Sequence, residues 1–307
     1  MTTAPVASPH TPASRQRIGV ACVAAAAVLW ALIGLFTLRL SDAGYRPIDI
    51  AWWRALGTAT LFWCELAVRR RLPALPRSER PALLAFALIG VSLFYLALPA
   101  AVVAGGITVA YVLLYSAPVW VVLGGRLFLG TRVSPRALQV VGLATLGVLL
   151  VVASGGGQPT LSRSAVLWGL AAGVSYSSYY LLGAGLFTRV GTTDVYALAM
   201  LVGAVPLGIL AGFTVPSGTA WWLTAGLCAL STWLPYVLLG EGLRRLGPVR
   251  SVVIANLEPV VAALLGVVVA GERLGIVGVC GGLLVVTASV LMARGAGGEP
   301  VAVSSQP

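Results

Sequence analysis

The chain of 307 residues contains no lysine, and all 20 of its basic residues are arginine. That absence excludes chemistry built on a lysine Schiff base, such as retinal or pyridoxal attachment. The single histidine, His10, lies in a polar N-terminal stretch. Histidine proton relays and histidine-ligated haem or zinc are therefore excluded from the apolar body of the chain. Cysteine is scarce: Cys22, Cys64, Cys228 and Cys280 stand singly in apolar segments without a CxxC pair, and read as small hydrophobes rather than a disulfide or metal set. Charge is scarcest of all. Only 9% of residues are charged, against roughly 25% in an average soluble domain, too few to coat a water-soluble globule of this size.

What is present is apolar: 59% of residues are hydrophobic and the mean hydropathy is +0.96. The fold class expected is an all-α integral membrane protein. Ten apolar runs are long enough to cross a bilayer, at residues 19–37, 48–68, 81–103, 107–129, 138–154, 165–186, 196–213, 220–239, 249–269 and 275–292. At about 20 residues per span they use most of the chain, leaving loops of roughly eight residues each. Loops that short exclude a folded domain outside the membrane, and no GxxxxGK[ST] phosphate loop occurs. The polar ends, 1–17 and 294–307, read as cytoplasmic tails, the first of them disordered.

Arginine placement sets the expected orientation. With both termini in the cytoplasm, Arg39, Arg46, Arg163 and Arg273 fall outside, Arg54 falls within the second span, and the remaining fifteen arginines fall inside. The formal charge of +11 is thus a topology signal and calls for no nucleic acid. The expected location is the plasma membrane, crossed many times.

Shifting the chain by 141 residues places Tyr95 on Tyr236, Gly106 on Gly247, Pro118 on Pro259, Gly125 on Gly266, Gly130 on Gly271 and Arg132 on Arg273. The frame is P-x6-G-x4-G-x-R in both copies, within SAPVWVVLGGRLFLGTRV and LEPVVAALLGVVVAGERL. Residues 18–155 and 164–293 then form two halves of five spans each. Five is odd, so the second half enters the membrane inverted. Inverted repeats are an architecture of alternating-access transporters, with the substrate site at the repeat interface near the midplane.

These residues carry a resemblance. Ten spans in two halves, each closing with P-V-x5-G-x4-G-[TE]-R-[VL], are similar to the drug/metabolite transporter superfamily, in its EamA-type ten-helix branch, over about residues 18–293. The second copy fits the family pattern; in the first, Thr131 replaces a usual glutamate and Arg126 is an added charge. The resemblance implies a helical bundle around a central cavity, acting as a secondary carrier. Many relatives export amino acids or related metabolites. It also implies a structural or cavity role for Arg54.

Glu258 is the foremost candidate. It lies about nine residues into its span, hence ~14 Å deep at 1.5 Å per residue, where an ionised carboxylate costs roughly 2.5–3.5 kcal/mol on insertion scales. It reads either as a proton-coupling or substrate-binding group or as a protonated structural carboxyl. Pro118 and Pro259 each break a helix and free a backbone carbonyl, that of Leu114 or Ala255. Asn256 and Tyr115 lie beside those breaks. Tyr95, Tyr236, Trp30 and Tyr176, together with Tyr111, Tyr179 and Trp233, place amphipathic rings within spans, with Tyr95 and Tyr236 the favoured cavity-lining pair. Ser175, Ser177 and Ser178 suit a wet inner face. Arg54, beside Trp52 and Trp53, reads either as a residue snorkelling to the outer interface or as a contact for a substrate carboxylate. Gly169 with Gly173, and Gly278 with Gly282, give small faces for helix packing.

The leading expectation is a secondary exporter of a small metabolite, an amino acid or related compound, with protons as the candidate coupling ion. It needs no cofactor and no metal. The alternative is uptake or exchange of a phosphorylated or vitamin-like solute, which predicts more arginines in the cavity than Arg54. An intramembrane enzyme is disfavoured, because the expected spans hold no His or Lys and no Asp beyond Asp49 at one end. Substrate identity, direction and oligomeric state stay open.

Overall fold

The computed structural model describes residues 12–128, 130, 133–154, 162–218, 220–270 and 275–294. Every regular element among them is a helix. In chain order these are α1 (Pro12–Ala31), α2 (Ile33–Asp42), α3 (Pro47–Val68), a 3-10 turn (Arg77–Glu79), α4 (Arg80–Ala85), a π-helical segment (Phe86–Leu93), α5 (Phe94–Leu114), α6 (Ala117–Phe128) and α7 (Pro135–Ala153). They continue with α8 (Arg163–Arg189), α9 (Thr192–Ala211), α10 (Ala220–Cys228), a second π-helical segment (Ala229–Trp233), α11 (Leu234–Leu246), α12 (Pro248–Ala255), α13 (Leu257–Ala270) and α14 (Ile276–Ala293). The starts follow local chemistry. Proline leads α3, α7 and α12, where its missing N–H is no loss, and the Ser134 and Ser162 hydroxyls cap α7 and α8.

Among the described residues eight stretches are long and apolar enough to cross a membrane: Ser14–Asp42, Arg77–Ala101, Val109–Phe128, Pro135–Ala153, Thr192–Ala211, Ala220–Leu246, Pro248–Leu265 and Ile276–Ala293. The protein is thus a multi-pass helical membrane protein. Two more helices are as long, α3 with 22 residues and α8 with 27, but more polar. Asp49, Arg54 and Glu65 sit on α3, and the serines at 164, 175, 177 and 178 sit on α8.

Several boundaries differ from the expected ones. Helix α1 starts at Pro12, so the last residues of the expected N-terminal tail are helical, and the Gln16 side-chain amide donates to the Ala293 carbonyl. Residues 1–11 and 295–307 lie outside the described residues, as do Thr131, Arg132, Gly271 and Arg273 and most of the 155–163 loop. The seventh span begins at Thr192 rather than 196, which brings Asp194 into α9. An Asp near a helix start is favoured by the unpaired N–H groups there, so apolarity alone misplaces such an end.

No loop separates the third and fourth expected spans, because helical backbone continues from Phe94 to Leu114. The chain nonetheless reverses within it. Phe94 stacks on Tyr176, and Ala104 accepts a hydrogen bond from Ser162 at 3.1 Å. Beyond that point Leu113 packs on Gly169 and Gly173, and Leu181 on Gly124. Contacts descend α8 and then climb it again. Glycine at 105 and 106 weakens the helix by about 1 kcal/mol each without forbidding it.

Helix α8 packs most extensively on α5, α3 on α9, α1 on α11 and α7 on α14. At the α7–α14 crossing a Cβ on Gly281 would fall 2.6 Å from the Gly147 carbonyl oxygen. That pair, rather than Gly278 and Gly282, makes the close approach. Gly278 and Gly282 instead line a shallow apolar recess with Val151, Val260 and Leu264. Structural features recur at the interval of 141. Helices α7 and α14 begin at Pro135 and Ile276, helices break at Tyr115 and Asn256, and the π-helical segments, at 86–93 and 229–233, overlap under the same shift.

Candidate functional site

Two interrupted helices frame the centre. The helix ending at Leu114 gives way to a turn at Tyr115 and Ser116 before α6, and the one ending at Ala255 turns at Asn256 before α13. Pro118 and Pro259 stand just beyond, each unable to donate to the preceding turn. The breaks bring Tyr115 and Glu258 close to each other.

A chain of tyrosines crosses the middle of the bundle. The Tyr95 and Tyr236 hydroxyls are 3.0 Å apart, and Tyr236 donates to Tyr179 at 3.1 Å. Tyr180 donates to Tyr176 at 3.1 Å. All five rings are buried. Tyr236 is stacked between Tyr196, at 4.6 Å between centroids, and Tyr179, at 5.4 Å, and Trp30 meets it edge-on at 5.9 Å. Each π-helical segment delivers one member of the central pair. Such segments add a residue to a helical turn and re-aim the side chains after it, and here Tyr95 follows two residues after the first segment and Tyr236 three after the second.

Arg54 points into this cluster. Its guanidinium carbon lies 4.7 Å from the centre of the Tyr95 ring, and its Nε donates to Thr232 Oγ1 at 2.9 Å. It therefore does not snorkel to the outer interface, because a buried aromatic face and a hydroxyl offer the cation partners within the bundle. Glu258 is within electrostatic reach of it and is half-buried. Asn256 is buried, and its amide nitrogen has no hydrogen-bond partner among the described residues. The centre thus combines one cation, one carboxyl, an amide and a row of hydroxyls in an aromatic wall. It suits reversible contact with a small polar or zwitterionic solute. Among the described residues no group of three or more His, Cys, Asp or Glu is placed to hold a metal ion.

The structure gathers Glu258, Asn256, Tyr95, Tyr236, Tyr115, Arg54, Trp30 and Tyr176 about one centre, with Pro118 and Pro259 at its edges. The serine triplet behaves otherwise. Ser177 and Ser178 donate to the Val174 and Ser175 carbonyls of their own helix, and all three serines are buried. Back-bonding within the turn satisfies a serine hydroxyl without a wet face.

Tyr180, Tyr196 and Thr232 complete the centre without having stood out in the sequence. Tyr196 lay at an expected helix end, and Thr232 gains its meaning from the second π-helical segment, where it donates to the Leu227 carbonyl five residues back. Toward the arginine-rich ends of the helices, Phe62, Phe86, Phe187 and Tyr196 fill the bundle with fully buried rings.

Comparison with known proteins agrees with this architecture. The profile of the EamA-like transporter family matches residues 17–153 and again residues 163–294. An uncharacterized transporter of Archaeoglobus fulgidus is 27% identical over 285 residues, covering 91% of this chain and 97% of that protein. A second uncharacterized transporter, YcbK of Bacillus subtilis, is 27% identical over 123 residues, 36% of this chain and 39% of its own. A solved crystal structure superposes with a TM-score of 0.77 at 18% identity, over 90% of this chain and 97% of that one, and shares the fold.

Proposed function

The chain belongs to the EamA-like transporter family and is a membrane transporter, and from that premise we propose that it is a secondary active exporter of a small metabolite, an amino acid or related compound. In this reading ten helices span the plasma membrane as two inverted halves, 18–155 and 164–293, with both termini in the cytoplasm. Helices α3 and α8 complete the count, with Asp49, Thr58, Ser175, Ser177 and Ser178 buried against protein rather than lipid.

The observation that carries the reading is the central pair. Tyr95 and Tyr236 are related by the sequence repeat and touch in the middle of the bundle, where a repeat interface and its substrate site belong. Arg54 would meet the carboxylate of the solute, and Glu258 its amine or the coupling proton. A single cation at the centre suits a solute with one carboxylate better than a phosphorylated one. The block of rings around Tyr196 fills the cytoplasmic half, which supports an outward-facing state.

The test is metabolite profiling of the medium and the cytoplasm of cells overexpressing the protein, against cells carrying the Arg54→Ala, Glu258→Ala double variant. The expected result is a rise outside and a fall inside for one or a few amino acids. Identical profiles in the two strains would dismiss the exporter.

A further inference from the structure

Two buried aspartates occupy matching places on two helices that pack along their length. Asp49 is the third residue of α3 and Asp194 the third residue of α9, and both are 4% exposed. Each is held by an arginine, Asp49 by Arg46 through bonds of 2.8 and 2.7 Å, and Asp194 by Arg71 at 2.6 and 2.9 Å. The two clasps lie at opposite ends of the α3–α9 pair, because the helices run antiparallel. Arg71 follows the end of α3 and reaches the start of α9, while Arg46 precedes α3 and reaches the end of α9.

Further bonds repeat the pattern. At one end Arg46 also donates to the Ala211 carbonyl at 2.7 Å, the Thr214 hydroxyl donates to Asp49 at 2.9 Å, and the Trp53 indole donates to the Thr214 carbonyl at 2.6 Å. At the other end the Thr193 hydroxyl donates to Glu65 at 3.0 Å, and the Trp63 indole donates to the Ala197 carbonyl at 3.0 Å. Hydrogen bonds to ionised groups are about twice as strong as neutral ones. Tyr95 of α5, Tyr236 of α11 and Tyr179 of α8 are joined instead by neutral hydroxyl pairs, which exchange partners at little cost.

An ion pair that serves as a gate is made in one state and broken in the other. Here both ends of one helix pair are linked in the same structure, one by the Arg71–Asp194 ion pair and the other by Arg46 on the Ala211 carbonyl and Thr214 on Asp49, the Arg46–Asp49 pair itself being the cap of α3. We propose that α3 and α9 form a strut, latched at both faces by the Asp49 and Asp194 clasps, that stays intact while the other helices move about it. The proposal rests on the alternating-access reading above and adds which part stands still.

The test uses the full chain with its four cysteines replaced by alanine and one reporter cysteine at the centre, Tyr111→Cys, with Trp30→Cys as a second reporter. A membrane-impermeant thiol reagent is applied to right-side-out and to inside-out vesicles, and melting temperature is measured on the purified protein. The strut predicts that Asp49→Asn and Asp194→Asn each lower the melting temperature while the ratio of labelling from the two faces stays at its parent value. Exchanging the inner pair, Arg71→Asp with Asp194→Arg, should recover part of the loss. Should either Asn variant fail to fold, Thr193→Val and Thr214→Val delete one link at each end and are read in the same way. A shift of the labelling ratio by about tenfold toward one face, the response of a two-state equilibrium losing a gate, would overturn the strut. Unchanged melting temperatures in all four single variants would do so as well. Labelling of the parent from one face only, with both reporters, would instead remove the alternating-access reading itself.

Discussion

The hydroxyls of Tyr95 and Tyr236 stand 3.0 Å apart although 141 residues separate them in the chain, and 141 is also the interval at which the helix breaks and the starts of α7 and α14 recur. Two positions exchanged by a two-fold rotation can touch only beside its axis. In the proposed inverted repeat the pair therefore marks the axis, and it also touches the one cation of the centre. Symmetry and chemistry meet at one place.

Removal of either hydroxyl should be felt there. Tyr95→Phe and Tyr236→Phe each break the hydroxyl chain and should cost about 1 kcal/mol of stability, the net worth of a typical hydrogen bond, read as a lower melting temperature in detergent. Alanine at either site should lower export while the protein still inserts, and Trp should block export by filling volume. Parent-like export from all the Ala and Trp variants would leave the pair a packing contact.

Much of this was legible in the sequence. Low charge and long apolar runs gave the helical membrane class, and the proline–glycine–arginine frame gave the family. The tyrosines, Arg54, Glu258 and Asn256 were recognisable as polar groups set deep in apolar runs. The direction in which Arg54 points was not legible, because a helix apolar on most faces has little periodic contrast to show which side meets protein. Asp194 was missed because apolarity misjudges helix starts, where an acidic residue is at home, and Tyr196, at an expected span end, carried no sign that it faces the centre. The π-helical segments left no trace in the hydropathy pattern, since they change the geometry of a turn and not its composition.

Arg54 should be less replaceable than its charge alone implies. Its planar guanidinium lies over the Tyr95 ring while Nε bonds Thr232, an arrangement that the compact ammonium of lysine does not reproduce. Arg54→Lys should therefore lose transport nearly as fully as Arg54→Gln. Loss of a cation–π contact within the bundle corresponds to about 1–2 kcal/mol, observable as reduced thermal stability of both variants. Full activity of the lysine variant would show that charge suffices.

The proposed topology has a direct check. With both termini cytoplasmic, a cysteine introduced at residue 75 should resist a membrane-impermeant reagent added to intact cells. One introduced at residue 217 should react. The reverse pattern would invert the orientation drawn from the arginines.

The account stands most directly on Glu258. Proteoliposomes loaded with an amino acid identified by the metabolite profiling and given a proton gradient should show driven flux with the parent protein. With Glu258→Gln, which keeps the shape but cannot titrate, driven flux should be lost while exchange of labelled for unlabelled solute continues. Driven flux through Glu258→Gln equal to the parent's, with an unaltered dependence on pH, would contradict the claim that this carboxyl couples protons to transport.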